Sequence, residues 1–333
     1  MTNQEARYNT TDNRRCLGIL MPNRFQSVFG ACATAGIIVT ALVLRPAAGQ
    51  QAATPQATAA GQSASQHALD IGKFPAYKPA RLPDGHPDLN GYWQSMVSAD
   101  WDVQDHEAQP GPKPEINGVY GAGPAGQSIV EGGEIPYRPE ALAKKKKNFE
   151  TRAMVDVSDD KTWHNLGDPE MKCYMPGVPR ANYLPYPFRI VQSAGGSSPY
   201  MLISYEYASA TRIIRMNSKE EAPIPSWMGW SRGRWEGDTL VVDVTGFREE
   251  TWFDRAGDYH SDQLHVIESY TPVSPFHLMY EATIEDPKVF TRPWKIRFPL
   301  YRHMEQDFQL LEFKCQPFTE EMLYGRFVKR PAP

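Results

Sequence analysis

From Pro187 onward apolar and polar residues alternate along the chain, the pattern of half-buried strands rather than helices. Within Tyr200 to Asn217, Met201, Ile203, Tyr205 and Tyr207 fall on one face. A following strand carries Thr211, Ile213 and Arg215, so the stretch reads as a hairpin or one long bent strand. After a Gly237-Asp238 turn come TLVVDVTGF, LHVIESYTPV, HLMYEATIED, RPWKIRFPLYR and LLEFKCQPF, each bounded by Gly, Pro, Asp or Ser. At least six short strands over about 120 residues predict an all-β, antiparallel sheet that closes as a barrel or double barrel and so removes its own edges. Strands and helices do not alternate, and no Gly-rich phosphate loop joins a strand to a helix, which argues against Rossmann and TIM architectures. In the last run Leu311, Phe313 and Cys315 share a side, which places Cys315 toward the apolar interior.

The N-terminal half has a different texture. Lys73 to Pro139 is rich in proline, glycine and aromatic residues and reads as an extended wrap, with Gly91, Tyr92 and Trp93 leading into a first strand. Pro139 opens a short helix whose lysines, Lys144 to Lys147, form a solvated side. Further upstream, GACATAGIIVTALVL lies between Arg24 and Arg45, ahead of the small residues Ala47, Ala48 and Gly49. This is the pattern of a signal peptide cut near Gly49 or Gln50; the apolar stretch also reads as a short, marginal anchor if uncut. The expected organisation is a signal peptide over 1–49, a flexible linker over 50–69, the wrap with its strand and helix over 70–150, and the barrel over 151–333.

Composition narrows the class. A net charge of −4, from 35 basic and 39 acidic residues, leaves no positive field to recruit nucleic acid. Two of the four cysteines, Cys16 and Cys32, fall in the export segment. Cys173 and Cys315 then form an even pair in an oxidising compartment, periplasmic or secreted, and predict one disulfide; the alternative is two separate buried thiols. No CxxC spacing supports a thiol redox centre or a zinc-cysteine site.

The stretches HPDLNGYW, KCYMPGVPRANYLPYPFRIVQ, WMGWSRGRWEGDTLVVDVTGF, TWFDRAGDYHSDQLHVIESY and TIEDPKVFTRPW together resemble a large family of exported bacterial proteins, a resemblance that implies membership and no particular activity. GRWEGDTLVVD is also similar to the Gly-x-Trp openings of lipocalin-like domains, which implies a lipocalin-like barrel around a small-molecule cavity.

The densest polar run is Asp254 to Glu268, DRAGDYHSDQLHVIE. If the chain is extended from His260, then His260 and Asp262 share a face and the carboxylate can orient the imidazole, with His265 on the opposite side. If the strand starts later, His260, Asp262 and His265 become a candidate metal set. Glu268 shares its face with Leu264, Val266 and Tyr270, so its carboxyl either pairs with an arginine such as Arg212 or Arg297 or keeps a proton for general acid work. The proline-stiffened CYMPGVPRANYLPYPF, with His164 upstream, presents Arg180, Tyr183 and Tyr186 either to a ligand or as a plug in which Arg180 meets a protein carboxylate. Trp227 and Trp230, with Trp235, form candidate aromatic lids or ordinary edge packing, and Asp286 is expected to satisfy turn amides. No HExxH motif occurs.

The leading expectation is an exported enzyme, a lyase or isomerase, performing elimination, isomerisation or hydration on a small apolar or aromatic metabolite without an organic cofactor. His260, Asp262, Glu268, Tyr183 and Arg180 are its expected catalytic residues, and His164, Tyr186, Trp227, Trp230 and His265 its binding residues. A periplasmic or secreted small-molecule carrier and a metal-assisted hydrolase are the alternatives. Membrane contact is expected only through an uncut signal segment.

Overall fold

The period-two segments become strands whose buried positions alternate with half-buried or exposed ones, as in Tyr200–Tyr205, where Met201, Ile203 and Tyr205 turn inward. The computed structural model describes residues 77–111, 121–152, 154, 167–193, 198–317 and 319. The chain divides into two units at Pro55, and all of these residues belong to the second, Gln56–Pro333. The expected signal peptide, the linker and His164 lie outside the described residues. Among the described residues no helix is long and apolar enough to cross a membrane.

Nine strands close into one barrel. They are β1 (Gly91–Ser95), β4 (Phe188–Val191), β5 (Tyr200–Tyr205), β6 (Thr211–Met216), β7 (Trp230–Glu236), β8 (Thr239–Thr245), β9 (His265–Ser274), β10 (His277–Glu285) and β11 (Trp294–Arg302), in the ring order β1-β11-β10-β9-β8-β7-β6-β5-β4. Strand β1, from the N-terminal wrap, closes the ring by pairing with both β11 and β4. A fully antiparallel sheet was expected, and the ring departs from it at one seam: β6 and β7 run parallel, with Ile214, Arg215 and Met216 opposite Ser231, Arg232 and Gly233. The reason is arithmetic, because directions cannot alternate all the way round an odd-numbered ring. Parallel neighbours need a long crossover rather than a tight turn, and residues 217–229 supply it. Gly233 lets the seam close: a Cβ there would lie 2.6 Å from Ile214 Cγ2 and 2.7 Å from Met216 Sδ.

Two further expectations are corrected. Tyr207 sits in a tight helical turn, Tyr207–Ser209, rather than at the end of β5. The run LLEFKCQPF forms no strand, and Leu311 is exposed. Strand β11 already has β10 on one side and β1 on the other, so the barrel has no edge left for another strand. The tail instead lies against the loops, with Phe313 in edge contact with Tyr186 and packed on Tyr207. It is joined covalently by the expected disulfide, Cys173–Cys315.

The wrap crosses the barrel's outside. Bridges from Val130 to Ile296 and from Tyr137 to Phe290 fasten it to β11 and to the loop before it. It carries a minimal two-stranded sheet, β2 (Gln109–Pro110) with β3 (Ala122–Gly123), and the helix α1 (Pro139–Thr151), which has Pro139 in its first turn and buries Ala141. The C-terminal half of α1 packs closely on the β8–β9 loop, where a Cβ at Gly257 would lie 2.8 Å from Asn148 Cβ. The lysine run does not simply face water, because Lys144 lies over the Tyr259 ring and Lys145 turns toward Asp258.

Candidate functional site

Strand β9 begins at His265, so His260 and Asp262 precede it in a loop. His260 is buried between Phe247 and Phe253; Nδ1 is 2.8 Å from the Ser261 carbonyl and Nε2 is 2.6 Å from Thr251 Oγ1. A carbonyl only accepts, so Nδ1 carries the proton and Nε2 accepts from the threonine hydroxyl. Burial lowers the imidazole's pKa, which keeps the ring neutral. The expected His260–Asp262 pair does not form, because the exposed Asp262 receives Lys288 Nζ at 2.7 Å. The Ser261 carbonyl and the Thr251 hydroxyl orient the ring instead, and Asp286 holds the Ser261 turn, accepting from the Ser261 amide and hydroxyl and from the Lys288 amide. His265 sits on the barrel's outside between Asp243 and Glu285, at 3.0 and 3.2 Å. With each of its members held by a different partner, the set His260, Asp262 and His265 is not assembled as a metal site.

Glu268 lies at the centre of the barrel, fully buried, and its partner is Arg212 on β6. Arg212 Nη1 donates to Oε1 at 3.1 Å, Nη2 donates to Oε2, and Nε donates to Ser231 Oγ at 2.7 Å. Tyr280 OH and Tyr270 OH donate to Oε1 at 2.9 and 3.1 Å, and Asn182 Nδ2 donates to it at 3.0 Å. Burial, and then the Glu268 charge, holds both tyrosines well above their ordinary pKa, so they stay protonated donors. Every polar group of this cluster has a partner, which makes it a satisfied ionic core inside the barrel.

The loop before β4 enters this core. Its turn Arg180–Asn182 buries Asn182, whose Oδ1 accepts from Tyr205 OH at 3.0 Å. Arg180 meets protein carboxylates: Asp168 at 3.0 and 3.2 Å and Glu170 at 2.8 Å. Glu170 also takes a two-pronged contact from Arg255, at 2.7 and 2.9 Å. Burial alone would raise the Glu170 pKa, but the Arg255 and Arg180 charges override it and hold the carboxyl at about 2. Tyr183 OH donates to the Phe253 carbonyl at 2.7 Å, and Tyr186 packs on Tyr207 and Phe313. Trp227 and Trp230 are capped separately, by Arg248 at 4.5 Å and Arg215 at 3.2 Å from their ring centres. Trp235 stacks on His86.

The structure brings together a different set. Asp102, Asp254 and Asp258 each direct a carboxylate oxygen into one group, all within 4.8 Å of one another, an arrangement that could hold a metal ion. Asp254 binds the wrap to the β8–β9 loop, accepting from the Val103 amide at 3.0 Å and the Asp258 amide at 3.0 Å. Asp258 Oδ1 accepts from Tyr137 OH at 2.7 Å. Its Oδ2 is buried without a hydrogen bond, and Lys145 Nζ lies 3.6 Å from it. Burial, and then the Asp258 charge, raises Asp102 to about 6; the same two causes with Asp102 added hold Asp254 well above the carboxylate range. Burial would lower Lys145, but these aspartates raise it.

Asp102 also lines a cleft between the wrap, α1 and the loops, walled by Trp101, Phe149, Met171, Arg152, Arg255 and His106. His106 Nδ1 is 2.9 Å from the Gln104 carbonyl, which fixes the proton on Nδ1 and leaves Nε2 as an acceptor; Nε2 is buried without a partner. The run Asp254 to Glu268 contains two of these three aspartates, but the sequence points within it to His260, Asp262 and Glu268, and nothing in the sequence singles out Asp102. The only signal was the density of acids in DRAGDYHSD. The chain matches no family model, and comparison with curated proteins and with solved structures brings no match.

Proposed function

We propose that the protein is a metal-assisted hydrolase of small molecules, with a divalent cation held by Asp102, Asp254 and Asp258. The observation that carries this reading is that three carboxylates converge beside a cleft and that one of them, Asp102, belongs to both. Two buried acids with one partly exposed lysine leave negative charge in excess, which either protons or a cation must offset. The unpartnered Asp258 oxygen supports the cation. An all-oxygen donor set favours a hard ion such as Mg²⁺, Ca²⁺ or Mn²⁺. Bound by these three aspartates, such a cation would supply Lewis-acid chemistry, acidifying a water and polarising a carbonyl. The Trp101 and Phe149 rings line the cleft beside this group and give it apolar walls.

The disulfide supports an oxidising compartment for this activity, periplasmic or secreted. The closed barrel with its Gly-x-Trp element on β7 supports the lipocalin-like comparison, while the ionic core around Glu268 favours a ligand site outside the barrel rather than inside it. Titration of the purified, metal-stripped protein with Mn²⁺, followed by electron paramagnetic resonance, is the direct test. One bound ion is expected, with affinity about tenfold or more weaker in Asp102→Asn, a substitution that keeps the side chain's shape. Absence of stoichiometric binding to the folded wild type at millimolar Mn²⁺ overturns the proposal.

A further inference from the structure

Two guanidinium groups line the cleft, and they are engaged differently. Arg255 lies 4.5 Å from the centre of the Trp101 ring, and its Nε and Nη2 are taken up by Glu170, with Asp100 near Nη1 at 3.7 Å. Arg152 lies 3.7 Å from the centre of the Phe149 ring, and its Nη1 donates to the Phe149 carbonyl. Asp168 also lines the cleft, but both of its oxygens are occupied by Arg180. Among the described residues Arg152 therefore makes no contact with a carboxylate, although a guanidinium carries five N–H donors in a fork matched to one. Burial lowers its pKa against the opposing pull of Asp168, the direction expected of a cation short of a partner.

The aromatic walls and this guanidinium define a ligand together. We propose that the cleft binds a small aromatic carboxylate, its ring held among Trp101, Phe149 and Met171 and its carboxylate on the free edge of Arg152. A monoanion fits better than a phosphate dianion, because Asp102 and Asp168 face the same space and would repel the second charge. A neutral aromatic would leave the Arg152 donors unsatisfied in a desolvated cleft. The inference rests on reading the cleft as the ligand site but does not require the cation, since none of these contacts involves Asp254 or Asp258.

Calorimetric titration with phenylacetate, phenylacetamide, acetate and phenyl phosphate tests it, on wild type, Arg152→Gln and Arg152→Lys. Phenylacetate is expected to bind wild type about tenfold or more tightly than each of the other three probes. Arg152→Gln should lose that preference, and Arg152→Lys should recover part of it, because an ammonium keeps the charge but not the fork. Mn²⁺ binding should be unchanged in both variants, which separates failure of the carboxylate subsite from failure of the metal reading. Equal phenylacetate binding by wild type and Arg152→Gln overturns the inference, as does a wild type that prefers phenylacetamide or binds no phenylacetate at millimolar concentration.

Discussion

Asp102 is half-buried beside two aspartates that are fully buried, and its proton therefore competes with any cation. Its folded pKa of about 6 lies above its ordinary value of 3.8. The sign follows from linkage: the stabilisation its proton provides is complete below about pH 3.8 and is lost as pH rises through about 6. A cation needs the carboxylate form, so Mn²⁺ affinity should rise between about pH 5 and pH 7 as Asp102 loses its proton. In the metal-free protein the melting temperature should fall across about pH 4 to 6, and Asp102→Asn should flatten that fall. Asp100, also raised to about 6 by burial, keeps part of the slope. Melting curves and Mn²⁺ titrations across this range check both statements; a pH-independent Mn²⁺ affinity would remove Asp102 from the ligand set. Some of this scale was legible in advance. The spacing puts Glu268 among apolar neighbours, where a carboxyl either keeps its proton or pairs with an arginine such as Arg212 or Arg297, and the partner is Arg212. The aspartate cluster was not legible, because its geometry depends on how the wrap docks. Val103, whose amide anchors Asp254, lies 151 positions earlier in the chain.

Strands were read well where burial alternated and poorly where closure decided the outcome. Alternation alone located β8 to β11, since each has one face in the core. LLEFKCQPF alternates just as well yet forms no strand, since both neighbours of β11 are already in place. Nor does any local pattern announce the parallel seam, which follows from the number of strands in the ring. Gly233 is its local trace, and the seam gives a test at this scale. Gly233→Ala should reduce unfolding free energy by about 1–3 kcal/mol, because the added methyl meets Ile214 and Met216 on a partner strand that cannot retreat. Replacement of a glycine usually gains a few tenths of a kcal/mol from the unfolded chain, roughly 0.4–1 kcal/mol, too little to offset this overlap. Urea midpoints at constant slope measure the difference, and an unchanged midpoint would mean that the seam is looser than the 2.6 Å approach implies.

At the scale of the whole molecule, the barrel and the disulfide close the chain in two independent ways. The disulfide spans 142 positions and encloses β4 to β11, leaving only β1 of the barrel strands outside. Cysteine spacing and compartment pointed to that cross-link before any geometry was known, whereas the part of β1 as the closing strand emerged only from its two pairings. Together they determine how the protein responds to mechanical load. A force pulling on the two chain ends crosses from Cys173 to Cys315 through the sulfurs, so eight of the nine barrel strands carry no tension. Only β1 is peeled, and the remaining strands then form an open sheet inside an inextensible covalent ring. Single-molecule stretching should therefore show a short first release under oxidising conditions. Addition of a reductant should unlock a further length on the order of 500 Å, at roughly 3.3–3.6 Å for each residue of the enclosed loop. The same total extension with and without reductant would show that the bridge does not bear load. A protein with this wiring resists being drawn out by its tails for as long as its surroundings keep two sulfurs joined.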